Sequence, residues 1–115
     1  MLAEHKLAHE KAIIQYLIVD KKSIILESDD AFFSNATTQS ITSLHPFFES
    51  ITTLLDTEED KEYLFSCIHL ETDNRNIIAD VTLKTFPKKP SLLIIQDLTT
   101  HYNNYQLTAQ KRNES

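Results

Sequence analysis

At 115 residues, with 41% hydrophobic and 24% charged side chains, the chain has room for one domain around a single core. No apolar run approaches the ~20 residues needed to cross a bilayer, and a formal charge of -6 with scattered cations (Lys21-Lys22, Lys88-Lys89, Lys111-Arg112) argues against nucleic acid as a partner. Glycine is absent, which excludes the phosphate-cradling loops that depend on it and leaves tight turns to Asp, Asn, Lys and Pro.

Residues 1–12 read as a helix of good formers with a weak apolar stripe (Leu2, His5, His9, Ile13), a helix that needs a partner surface to be stable. The stretch lacks the continuous apolar core of a secretory signal, so the cytoplasm is the expected compartment. The single Cys67 cannot form an internal disulfide and agrees with that expectation. Two β-branched runs, Ile13 to Val19 and Ser23 to Glu27, predict adjacent strands joined through Asp20-Lys21-Lys22.

From Asp29 to about Asp60 the signals are helical. Asp29-Asp30 can cap a short turn carrying Phe32 and Phe33, and Pro46 can open a helix with Phe47, Phe48, Ile51, Leu54 and Leu55 on one face. Ser34 to Ser43 reads as polar loop or frayed helix. Thr57-Glu58-Glu59-Asp60 resembles a capping box and predicts another short helix.

Three strands follow: Tyr63 to Glu71, Asn76 to Phe86 and Ser91 to Gln96. The second alternates Ile77, Ala79, Val81 and Leu83 against Asp80, Thr82 and Lys84, so that face is expected to be wet. Thr72-Asp73-Asn74-Arg75 supplies one turn, and Pro87-Lys88-Lys89-Pro90 the next. Beyond Asp97-Leu98-Thr99 a polar helix begins, capped by Asp97 or Thr99, with no stop signal before Ser115. Its spacing Leu98, Tyr102, Tyr105, Ala109, Arg112 is that of a coiled-coil seam and makes the first four candidates for a dimer contact.

This order of strand, strand, short helices, three strands and an exit helix resembles the PAS sensory domain. Asp97-Leu98-Thr99 resembles the Asp-Ile-Thr element that ends the last PAS strand and begins the signalling helix. Leu26-Glu27-Ser28-Asp29-Asp30-Ala31-Phe32 is similar to the strand-to-helix corner, with Ser28 where Asn is common. Asp20-Lys21-Lys22-Ser23 resembles the first turn, with Ser23 in place of the usual Gly.

The resemblance implies an α+β fold: a five-stranded antiparallel sheet with short helices over one face, spanning residues 13–99 between an N-terminal flanking helix (1–12) and a C-terminal linker helix (100–115). It further implies a non-catalytic module, usually a homodimer, that relays a signal through Asp97, Leu98 and Thr99 to a downstream effector domain in the parent chain. A histidine kinase leads among such effectors, ahead of a cyclase or a transcriptional regulator.

The cofactor is unknown. Cys67, between Ser66 and Ile68 in a predicted strand, is not in the Asn-Cys-Arg-Phe setting of the flavin sensors. Residues 56–63 hold no haem-binding His, so neither flavin nor haem is expected. Phe48, Leu55, Phe65 and Ile78 are candidates to line a small apolar cavity, against the plainer reading of core packing.

His5 and His9 share a helical face but lack a third ligand, so no metal site is expected; His45 reads as a helix-start residue and His69 as a strand-surface or packed imidazole. The competing functional reading is a small cone-shaped α+β isomerase that uses Asp80 as a buried carboxylate together with a His. A third is a ligand-free dimerisation module.

Overall fold

The computed structural model describes residues 13–73 and 75–104. The expected helix over residues 1–12, and Tyr105 and Ala109 of the expected seam, lie outside the described residues.

Five strands, β1 (Ile14–Val19), β2 (Ile25–Ser28), β3 (Lys61–Glu71), β4 (Asn76–Phe86) and β5 (Lys89–Asp97), form one sheet in the order β2-β1-β5-β4-β3. Every neighbouring pair is antiparallel. Alternation decides the faces. Leu17, Val19, Val81, Leu83, Leu93 and Ile95 point to the core side and are wholly buried, whereas Tyr16, Ile94, Thr82 and Leu64 lie in register across the opposite, outer face.

The segment between β2 and β3 covers the core face. It contains two short 3-10 turns, Ile41–Ser43 and Pro46–Phe48, and the helix α1 (Glu49–Leu55). Phe32, Phe33, Ile41, Phe48, Ile51 and Leu55 complete the core. Pro46 enters the helical stretch where its missing N–H costs nothing, and His45 acts there as expected, its Nδ1 accepting from Phe47 N at 3.1 Å.

In two places a distant group takes the local donor or acceptor: the expected short turn after Asp29-Asp30 is tied to β1, and the short helix expected at Thr57 does not form. Residues 29–36 form bends and turns, since the amides of Phe32 and Phe33 donate to Oε1 of the buried Gln15 at 2.8 and 2.9 Å. Thr57 to Asp60 is not helical. Glu58 Oε2 accepts from Lys88 N at 2.8 Å, Glu59 O accepts from Thr85 Oγ1 at 2.9 Å, and Thr57 O accepts from Lys21 Nζ.

The lack of glycine is visible in the backbone. Among the described residues, six hold positive φ: Ser23 (73°), Asp30 (53°), Asn35 (55°), Thr38 (75°), Cys67 (58°) and Lys88 (57°). Asp, Asn and Lys were expected in such turns; the β-branched Thr38 is the costliest tenant of this region. Ser23, in the turn after β1, sits in the conformation that favours Gly.

Candidate functional site

The site is the junction where β5 becomes the exit helix, whose described residues are 99–104. The β4–β5 ladder does not stop at its last register pair, Ala79 with Asp97. Ile78 continues it with both backbone groups: its carbonyl accepts from Leu98 N at 2.8 Å, and its N–H donates to Thr99 Oγ1 at 2.9 Å. The Thr99 hydroxyl therefore stands in for the backbone carbonyl that a further strand residue would have supplied.

Asp97 organises the same corner. Its Oδ1 accepts from Thr99 N at 2.9 Å and from Thr99 Oγ1 at 2.5 Å, which satisfies an amide the first helical turn leaves free. Its Oδ2 accepts from Arg75 Nη2 at 2.8 Å, and its own N–H donates to Ile13 O at 3.0 Å. Asp97 thus bridges the entry of β1, the β3–β4 connection and the exit helix. The carboxylate sits at the positive end of that helix, where its charge is favourable.

The helix then turns over the outer face. Tyr102 N donates to Leu98 O at 3.0 Å, and the Tyr102 hydroxyl donates to Asp80 Oδ1 at 2.7 Å. That bond to a carboxylate, reinforced by burial and by the Asp80 charge, raises the Tyr102 phenol above its ordinary range. Asp80 Oδ1 also accepts from Cys67 N at 3.2 Å. The expectation that Asp80 points simply to solvent is therefore corrected: it is half-buried, enclosed by the helix and by β3.

A cleft of about 310 Å³ opens between this helix and the end of the sheet, lined by His69, Glu71, Asn76, Ile78, Thr99 and Asn103 among others. A second, of about 290 Å³, lies at the opposite end of the strands and is lined by Asp20, Lys21, Glu58, Lys88, Lys89 and Pro90. Neither is lined by Phe48, Leu55 or Phe65.

Of the four residues expected around a cavity, Phe48, Leu55 and Phe65 belong to one core and Ile78 does not. Phe48 and Leu55 are fully buried in the core, and Phe65 packs on its rim with its ring 5.6 Å from that of Phe47. Ile78 faces the other side of the sheet, because its neighbours Ile77 and Ala79 take the core side. Among the described residues, no three His, Cys, Asp or Glu side chains converge as a metal site needs. His69 is exposed at the cleft mouth, and Cys67 is a half-buried free thiol.

Leu98 and Tyr102, expected in a dimer seam, are half-buried, and Tyr102 turns its hydroxyl to its own sheet. No described helix is long and apolar enough to cross a membrane. Comparison with protein-family models, with curated proteins and with solved structures returns no match.

Sequence reasoning found Asp97, Leu98 and Thr99 but missed Arg75, Ile78 and the Asp80–Tyr102 pair as parts of the same corner. Arg75 carried no signal beyond its place in a turn. Tyr102 and Asp80 were both visible, one as a seam residue and one as a candidate base, and only the packing joins them.

Proposed function

We propose that the chain is a non-catalytic sensory and dimerisation module of PAS type. It relays a signal through its exit helix to an effector domain in the parent chain, a histidine kinase being the leading candidate. The observation that carries the reading is the double grip of Ile78 on Leu98 and Thr99. The exit helix starts as an extension of the sheet, so a change in how β4 and β5 pack is felt at the first helical turn.

Three further features support the PAS reading: a five-stranded antiparallel sheet, short helices over one face, and positive φ at Ser23 in the glycine position of the resembling turn. Relay of this kind requires two helix arrangements of similar free energy and a signal that prefers one. The module works in the cytoplasm as a homodimer, where the free thiol of Cys67 is at home. Its ligand, where one is bound, is small.

The isomerase reading needs a carboxylate facing an apolar cavity. Asp80 instead lies on the outer face and spends Oδ1 on Tyr102 and Cys67. No specific observation favours that alternative.

Native mass spectrometry of the purified chain tests the proposal. A dimer that retains a defined small-molecule mass supports ligand sensing, and an empty dimer supports the ligand-free dimerisation reading. A monomer at every concentration contradicts both.

A further inference from the structure

The β3 strand is an edge strand and carries a bulge: Phe65 pairs with Val81 and Ile68 with Ala79, so Ser66 and Cys67 together oppose the single residue Asp80. Cys67 takes a left-handed backbone with φ 58°. A bulge of this type leaves an amide outside the ladder, and here that amide finds the side chain of the residue it opposes. The acceptor is the same Oδ1 that holds the Tyr102 hydroxyl.

We propose that Asp80 is a latch that couples the β3 bulge to the exit helix, one carboxylate oxygen serving both. This inference rests on the exit helix being the output element. The half-buried Asp80 has solvent as an alternative environment. While Tyr102 is docked, its 2.7 Å bond fixes the carboxylate with Oδ1 toward the bulge. When the helix leaves, the carboxylate is free to turn outward and the Cys67 amide loses its acceptor.

Linkage makes the effect reciprocal: whatever reshapes the bulge weakens the seat of Tyr102 by the same factor. The open edge of β3 thereby becomes a second place at which the helix can be controlled. Asp80 and Tyr102 are positioning residues in this scheme, and the Cys67 thiol takes no part.

Amide hydrogen exchange of the whole chain, read by NMR at single residues, tests the latch. Tyr102→Phe removes one oxygen from a half-buried residue, and the Cys67 amide should then exchange about tenfold faster, the factor corresponding to one lost charge-assisted hydrogen bond. The Val81 amide serves as reference for global unfolding and should not change. Thr100→Ala, on an exposed residue of the same helix, should leave Cys67 unchanged.

Asp80→Asn keeps a side-chain acceptor and should preserve most of the Cys67 protection. In Asp80→Ala the amide should be fast whether or not Tyr102 is present. The latch is overturned by a Cys67 rate that ignores Tyr102→Phe, or by equal effects of Tyr102→Phe and Thr100→Ala. Those results leave the relay reading standing, since it is decided by the oligomer and ligand masses.

Discussion

Gln15 offers the sharpest stability test, because one wholly buried side chain holds a segment that lacks regular structure. Its Oε1 accepts from Phe32 N and Phe33 N at 2.8 and 2.9 Å, and its Nε2 donates to Phe33 O at 3.1 Å and to Ser28 Oγ at 2.8 Å. Gln15→Leu keeps the volume but strands the two amides in the core. Each stranded amide costs about 1–3 kcal/mol, and the more apolar side chain returns about 1–2 kcal/mol.

Mid-range values, about 4 kcal/mol for the two amides less about 1.5 kcal/mol, put the expected net loss for Gln15→Leu at about 2–3 kcal/mol, a large share of the ~5–15 kcal/mol that holds a domain together. In urea, with a slope of about 1.5 kcal/mol/M, the midpoint should fall by about 1.3–2 M, followed by far-ultraviolet circular dichroism. Gln15→Glu should separate the roles. It retains both acceptor bonds but faces the Phe33 carbonyl without a donor unless protonated. A loss below about 0.5 kcal/mol for Gln15→Leu would refute the idea that this residue organises residues 29–36.

Other consequences are measurable with the same assay. Thr38→Gly should stabilise the fold by about 0.5–1 kcal/mol, because an exposed β-branched residue at φ 75° gives way to one that accepts that conformation; destabilisation would contradict the strain argument. Asp73 is held below the ordinary carboxylate range by the Ser34 hydroxyl and amide, and Asp30 by the Ser28 hydroxyl first. Their contribution is thus present above the unfolded value near 4 and lost as pH falls through the lower folded values, and Asp73→Asn should flatten the acid limb of the stability curve. Leu98→Asp with Tyr102→Asp should weaken association if these positions form a dimer seam, and an unchanged mass by light scattering would sink that assignment.

Much of the fold was legible because it is written in local alternation. Asn76 to Phe86 was bounded correctly from Ile77, Ala79, Val81 and Leu83 alone, and β1 and β5 began within one or two residues of expectation. What local pattern could not show were side chains that act at a distance. Gln15 sits in a strand and takes the amide of Phe32 17 residues later, and Glu58, inside the expected capping box, accepts from an amide 30 residues away.

The bulge that gives Asp80 its partner arises in β3, where Phe65-Ser66-Cys67-Ile68 reads as an unbroken strand. Ile78 was a candidate to line a cavity with Phe48, Leu55 and Phe65, although the alternation of its own strand already put it on the face opposite Ile77 and Ala79. At the junction, the grip of Ile78 uses one backbone amide, that of Leu98, and one side chain, the Thr99 hydroxyl, so only its Thr99 half is visible in residue type.

The most direct test of the central claim, that the exit helix is built as a continuation of the sheet, is amide exchange at Ile78 and Leu98 in Thr99→Val. Valine keeps the branched shape and removes the oxygen that receives the Ile78 amide. The account predicts that Ile78 loses protection by about tenfold and that the amides of Leu98 and Tyr102 lose it with Ile78, since strand end and first helical turn open together. Faster exchange at Ile78 with Leu98 and Tyr102 unchanged would show sheet and helix to be independent, and would contradict it.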